Sequence, residues 1–251
     1  MMRADLHFHL LPGVDDGPGD MGASLELARR AVAEGIGIVV ATPHVRSDLG
    51  LTDPVEIHAR VLELRAALSR AGITLDVRCG GELGHELIPG MRHGELQLLA
   101  QGPPDRRWLL VETPFHGIGA DFHEATAELR DRGFGVLIAH PERSADACLD
   151  GSAGLRAEFA AGSLAQLNAQ SLTGDHGADA CTAAWDLIGE GMFAVIASDA
   201  HGPTRPPALR AARRTLLEAG VAHGLADALV GSAPHRLLAA GIAAQPAVAA
   251  A

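Results

Sequence analysis

The chain has 251 residues, enough for one large α/β domain whose core needs no covalent staples. Its formal charge of −11 argues against a general nucleic-acid binder, and no apolar run approaches the length of a membrane span. Cys79, Cys148 and Cys181 are odd in number and far apart, which points to reduced thiols in a cytoplasm, and the opening MMRADLHFH has no apolar leader.

The first expected strand covers residues 3–9. ARRAVAEGIGIVVATPH then reads as a helix that ends at Gly35 and a buried strand over 36–42. In TDPVEIHARVLELRAAL, Asp53 suits the cap, Pro54 the first turn and Glu56 the third helical position. Ile57, Val61, Leu64 and Leu68 follow as one apolar stripe. Strands are expected next over 73–80 and 108–113. ADFHEATAELRDRG repeats the helix plan, with Asp121 as cap, Glu124 at the third position and Gly133 as terminator. Strands over 134–140, 163–169 and 193–198 complete the set, with Met192 and Phe193 read as core. The expected domain is 1–242, with 243–251 a loose tail because GIAAQPAVAAA lacks a core pattern. Apolar strands alternating with helices suggest a parallel sheet covered on both faces. A closed or nearly closed barrel of about seven βα units fits best. An open doubly wound sheet is the alternative.

The residues that end these strands carry the functional signal. They are His7 and His9, His44, Glu82, Glu112, His140 with Glu142 and Arg143, and Asp199 with His201. Only the sixth strand, AQLNAQS, ends in uncharged groups. In parallel barrels that rim is where active sites are built. His with Asp and Glu, and no CxxC pair, suits borderline to hard divalent ions such as Mn, Fe or Zn. His7 and His9 share one side of a strand, as do Asp199 and His201 at the same spacing. So many ligands exceed a single four-coordinate site, and two or three ions are the economical reading. Such a cluster can clamp a phosphoryl group. Arg143 and Arg205 offer fork-shaped donors for its oxygens.

Each signal alone has an ordinary explanation: a loop histidine, a solvated turn, a capping sequence. Their shared position at one strand end does not. His58, His93, His123, His176, His223 and His235 read as helix or loop residues away from the rim. His85 and His116 lie near it, and either could contact substrate.

HxH, ATPH, GGE, VE, AHPER and SDAH, in this order, resemble the polymerase and histidinol phosphatase (PHP) superfamily. DLHFHLLPGVDDGP, LNAQSLTG and AHPER look most like its CpsB/CapC/YwqE group of bacterial protein-tyrosine phosphatases, over roughly residues 4–240. That resemblance implies a distorted TIM-like (β/α)7 barrel, the PHP fold, and a three-metal site that usually prefers manganese. One ion would take His7, His9, Glu82 and Asp199. A second would share Glu82 and add Glu112 and His140. A third would take His44, His201 and Asp16. Arg143 and Arg205 match the phosphate-holding arginines, and they, Asp199 and His201 are the expected catalytic residues, with His116 a further substrate contact.

The implied reaction is attack of a metal-activated hydroxide on phosphorus, with no cysteine nucleophile. None of the three cysteines has an arginine six residues on. The implied substrate is a phosphotyrosine protein, such as a tyrosine kinase that regulates capsule or exopolysaccharide. No nucleic acid or membrane partner is expected. TPFHGIG, and His85 in GGELGHEL, depart from the group pattern and bear on the substrate. Three alternatives compete: a phosphatase for a small metabolite such as histidinol phosphate, a non-catalytic regulator, and an amidohydrolase-type enzyme. The full ligand set counts against the regulator. The lack of any lysine counts against the last, which typically uses one as a ligand.

Overall fold

The computed structural model describes residues 2–50, 53–149 and 152–245. Its strands are β1 (Arg3–Phe8), β2 (Ile36–Ala41), β3 (His44–Val45), β4 (Asp76–Cys79), β5 (Glu82–Leu83), β6 (Trp108–Glu112), β7 (Gly135–Ala139), β8 (Leu164–Asn168) and β9 (Val195–Ala197). All seven expected strands are present, and two are broken. The second continues from β2 into β3 across Thr42 and Pro43. The third continues from β4 into β5 across Gly80 and Gly81.

The breaks divide the ladder. β1, β2 and β4 form one parallel sheet, and β3, β5, β6, β7, β8 and β9 form another. Proline cannot donate to a ladder, so the sheet shifts partners there. The glycine pair answers a close approach. A Cβ on Gly80 would meet Val40 Cγ1 at 2.5 Å, and one on Gly81 would meet Val45 Cγ2 at 2.8 Å.

The barrel closes between β1 and β9 by few contacts. Phe8 bridges Ala200, His9 N donates to Ala200 O at 2.9 Å, and Asp199 N donates to His7 O at 2.9 Å. Lower down, a side chain replaces the ladder: the fully buried Asp5 carboxyl accepts Ser198 N at 3.1 Å. Burial pushes this carboxyl up to about 6. The architecture is a distorted seven-stranded α/β barrel rather than an open sheet.

Packing follows strand alternation. Val39, Leu109, Val111 and Ile138 join a large outer core with Leu27, Ile57 and Leu64 of the helices. Leu6, Trp108, Leu110, Leu137 and Val195 form a second cluster, closed by Ala233, Leu238 and Ile242. Trp108 Nε1 donates to Leu237 O at 3.0 Å there.

The helices match expectation with one correction. α1 (Met21–Ala33) and α2 (Pro54–Arg70) carry the expected signals, and Asp53 accepts Val55 N at 2.9 Å. α3 (His93–Leu99) precedes β6. α4 (Ala120–Asp131) is capped at Gly119, not Asp121. Asp121 lies one residue inside the helix and binds Phe122 N at 2.9 Å and His85 Nε2 at 3.1 Å. Of the expected tail, residues 243–245 are irregular and 246–251 lie outside the described residues.

Candidate metal centre

β1 delivers His7 and His9 into the mouth of the barrel, and neither has exposed surface. Each ring is turned by a hydrogen bond at Nδ1. His7 Nδ1 meets Gln166 Oε1 at 2.9 Å, and His9 Nδ1 meets Asp15 Oδ2 at 2.7 Å. Both Nε2 atoms then face inward and lie 3.1 Å apart. Fixing the outer nitrogen this way is how proteins leave the other for a metal.

Glu82, at the end of the glycine kink, sits at the middle of the cluster. Its Oε2 is 3.3 Å from His7 Nε2, 3.4 Å from His9 Nε2 and 3.0 Å from His44 Nδ1. Its Oε1 is 2.8 Å from His140 Nε2. Asp199 Oδ1 lies 3.2 Å from His7 Nε2 and 3.3 Å from His9 Nε2. Asp16 Oδ1 lies 3.1 Å from His201 Nε2 and 3.4 Å from His44 Nε2.

Donor atoms within 4.8 Å of one another form four groups: His9, Asp16, His44 and His201; His7, His9 and Glu82; His7, His140 and Asp199; and His44, Glu82 and Glu112. All nine expected ligands therefore converge. The grouping differs from expectation in placing His140 with His7 and Asp199, Glu112 with His44, and His9 also with Asp16, His44 and His201.

The electrostatics fit cations. Burial opposes charge on Glu82, yet His7, His140 and His44 outweigh it and hold the carboxyl well below the usual carboxylate range. Burial likewise opposes charge on Asp199, and His7, His9 and Arg205 reverse that. His201 and His44 lower Asp16. Burial and the charge of Glu82 raise Glu112. His44 Nδ1, Glu82 Oε2, His140 Nδ1 and His201 Nε2 are buried and make no hydrogen bond. Buried polar atoms left bare are costly, and a divalent ion satisfies imidazole and carboxylate together. His140 and Asp199 also hold left-handed backbones, with φ of 35° and 52°. Such strain in non-glycine residues concentrates at functional sites.

The rim above the ligands is cationic. Arg205 Nη2 and Arg143 Nη1 both reach Asp199 Oδ2, the latter at 3.4 Å. The half-exposed Phe115 ring lies 5.1 Å from Arg143 Cζ. His116 is exposed in the wall of a cavity of about 170 Å³ that also meets Arg46, His85 and Glu112. It stands outside the ligand cluster, and His85 is engaged by Asp121.

Sequence reading missed several residues. Asp15 orients His9 and also accepts His44 N at 3.0 Å; its identical neighbour Asp16 masked it. The uncharged sixth strand supplies Gln166 to His7, and Asn168 Nδ2 donates to Asp199 Oδ2 at 2.8 Å. Arg46 Nη1 donates to Glu112 Oε2 at 2.9 Å. His176, expected away from the rim, has its Nδ1 3.0 Å from Ser171 Oγ. Burial and the Arg143 and Arg205 charges push its imidazole down to about 4.

Known proteins carry the same frame. A family model described as capsular polysaccharide synthesis, CpsB/CapC, matches residues 3–239. CapC of Staphylococcus aureus is 31% identical over 81% of this chain and 78% of its own. The tyrosine-protein phosphatase YwqE of Bacillus subtilis is 30% identical over 78% and 76%. A solved structure, from work on YwqE of Bacillus subtilis and CpsB of Streptococcus pneumoniae as unique metal-dependent tyrosine phosphatases, superimposes with a TM-score of 0.80. It is 27% identical and covers 94% of both chains. With the barrel, the ligand cluster and a family model spanning nearly the whole sequence in agreement, the chain belongs to the CpsB/CapC family.

Proposed function

We propose that this protein is a metal-dependent phosphomonoesterase acting on phosphotyrosine in proteins, with residues 1–242 as one catalytic domain. The observation that carries the reading is Glu82, whose bare Oε2 stands 3.0–3.4 Å from His7, His9 and His44 beneath two arginines. The proposed ligands are His7, His9, Glu82 and Asp199 for one ion, Glu82, Glu112 and His140 for a second, and His44, His201 and Asp16 for a third. The donor set of imidazole and carboxylate without thiolate suits manganese, zinc or iron, and the family resemblance favours manganese among them. Bound ions would supply charge neutralisation at phosphoryl oxygens and a lowered pKa for an attacking water.

The chain's own residues do the rest. Arg143 and Arg205 take the phosphoryl oxygens as forks, which fixes the ester over Asp199. Asp199 and His201 stand directly below as the expected catalytic groups. Phe115, beside Arg143, offers an aromatic face at the rim for the leaving tyrosine. His116 is a contact for the peptide beyond it. The family description, capsular polysaccharide synthesis, and the relatives' tyrosine-protein phosphatase names support a phosphotyrosine protein of polysaccharide synthesis as the substrate, and a tyrosine kinase is the one proposed. Among the described residues no helix is long and apolar enough to cross a membrane, and three free cysteines support a cytoplasmic setting.

The test is metal-stripped protein resupplied with Mn²⁺ and assayed on a phosphotyrosine peptide beside histidinol phosphate. Manganese-dependent turnover of the peptide is the expected result. Preference for histidinol phosphate would move the enzyme to small-molecule metabolism. Turnover of neither would overturn the reading.

A further inference from the structure

β8, the strand that ends in uncharged groups alone, is bonded to the proposed ligands at three points. Gln166 and Asn168 are two residues apart and share one face of the strand, while Leu167 between them packs into the outer core. Neither amide has exposed surface.

Their side chains form a continuous hydrogen-bond chain. His7 Nδ1 lies 2.9 Å from Gln166 Oε1. Gln166 Nε2 donates to Asn168 Oδ1 at 3.1 Å, and Asn168 Nδ2 donates to Asp199 Oδ2 at 2.8 Å. The backbone closes the circuit, because Asp199 N donates to His7 O at 2.9 Å. His140 joins it through the main chain, its N donating to Gln166 O at 2.8 Å. His7, His140 and Asp199, which form one of the four donor groups, are therefore all tied to β8.

The direction of the chain is fixed at its far end. Asp199 faces the Arg143 and Arg205 guanidiniums, so it is a carboxylate and can only accept. Asn168 must then turn its NH2 group toward Asp199, which leaves its Oδ1 for Gln166. Gln166 must turn its own NH2 group toward that oxygen, which leaves Oε1 for His7. An oxygen facing His7 Nδ1 demands a hydrogen there. The neutral ring then carries a bare lone pair on Nε2, the atom that lies 3.3 Å from Glu82 Oε2 and 3.2 Å from Asp199 Oδ1. The opposite direction would set Asn168 Oδ1 against Asp199 Oδ2, two buried acceptors with no hydrogen between them.

We infer that Gln166 and Asn168 are positioning residues that act as an amide relay: through two side chains of β8, the Asp199 carboxylate sets the tautomer of His7, and so presents His7 Nε2 and Asp199 Oδ1 together to one ion. The relay also occupies Asp199 Oδ2, which leaves Oδ1 as the free oxygen. It includes no atom of Asp16, His44 or His201, so it serves one ion of the set. The inference rests on the metal reading of the cluster and not on the identity of the ester.

The test titrates Mn²⁺ into metal-stripped full-length protein and counts the ions bound per chain. Q166M and N168L keep bulk and remove one amide each. Each is expected to weaken one binding step by about 10–100-fold and to leave the other steps unchanged. Q166E offers an oxygen that only accepts, and it holds the His7 hydrogen without help from Asn168. It is therefore expected to raise Mn²⁺ affinity about fivefold more in the N168L background than in wild type, since its added charge acts alike in both and cancels.

Unchanged affinity in Q166M and N168L would overturn the inference. So would an equal gain from Q166E in the two backgrounds, which makes the amides independent supports. A uniform loss at every ion with a matching fall in Tm marks a packing role and overturns it as well. If N168L does not fold, N168A takes its place in the same comparison. Wild-type protein that binds no divalent ion would instead sink the metal reading itself. Should it bind ions but turn over no phosphotyrosine peptide, the substrate reading fails while the Q166E comparison still decides the relay.

Discussion

The Asp15 carboxylate takes the Nδ1 hydrogen of His9 at 2.7 Å and thereby decides which nitrogen of His9 faces the cluster. Burial opposes charge on Asp15, and the bond to His9 with those from Gly17 N and His44 N overrides it, so Asp15 stays ionised. Outer carboxylates of this kind typically carry 10–100-fold in metal affinity, roughly. Asp15→Asn is expected to weaken Mn²⁺ binding by that factor while leaving the barrel folded. Titration of metal into stripped protein measures it, and unaltered affinity would remove Asp15 from the support of the site.

His7→Ala and Asp199→Ala are each expected to remove nearly all phosphatase activity and leave the circular dichroism spectrum unchanged. Both residues meet Glu82 or its neighbours at the centre, where no other donor can replace them. Activity within about threefold of wild type in either variant would break the proposed ligand assignment.

Arg205→Ala is expected to lower kcat/KM for a phosphotyrosine peptide by on the order of 10²-fold, the scale of losing one pre-set charged donor. Its guanidinium bridges Asp199 and Asp16, so the metal-binding isotherm should be recorded in parallel. A kinetic loss with intact metal binding places the arginine on the phosphoryl group.

Away from the site, Glu158 ties α4 to β8 through His123 Nδ1 at 2.6 Å, Thr126 Oγ1 at 2.8 Å, Arg130 Nη1 at 2.9 Å and Ser163 Oγ at 2.6 Å. Burial opposes its charge, but these partners hold its carboxyl below the usual value. A depressed carboxylate contributes stability that is present above its unfolded pKa and lost as pH falls through the folded one. Glu158→Gln leaves Arg130 buried without its counter-charge and is expected to cost about 3 kcal/mol at pH 7. The deficit should shrink as pH drops below about 4. Urea denaturation at pH 7 and pH 3.5 reads it, and a deficit that does not change with pH would refute the ionic account.

Chelation supplies a further check. Ions held by the native cluster and not by the unfolded chain stabilise by mass action. Stripping metal with EDTA is expected to lower Tm by several degrees, and Mn²⁺ to restore it, rising with the logarithm of its concentration above Kd. An unmoved Tm would argue against a preformed site.

The ligands were legible because strand ends in a parallel barrel converge, and six of the seven ends bore an imidazole or carboxylate. Apolar runs that follow a glycine also marked most of the strands. Pairing and direction were harder. Periodicity cannot show that Pro43 and the Gly80–Gly81 pair move a strand from one sheet to another, since the side-chain pattern persists across the break. Asp15 and Asp16 are chemically identical and adjacent, and only the fold turns one toward His9 and the other toward His201. Asp121 looked like a cap because its spacing to Glu124 is right, yet Gly119 starts the helix and His85 claims the carboxylate.

The seam between β1 and β9 sets a timetable for synthesis. His7 and His9 leave the ribosome nearly two hundred residues before Asp199 and His201. Until then β1 has an open side, and the buried Asp5 carboxyl lacks the Ser198 amide that covers it. A growing chain therefore carries an unpaired edge, the kind of surface on which nascent proteins associate wrongly. The complete donor set forms only when the last strand docks, so loading with metal is a late event that certifies a finished barrel.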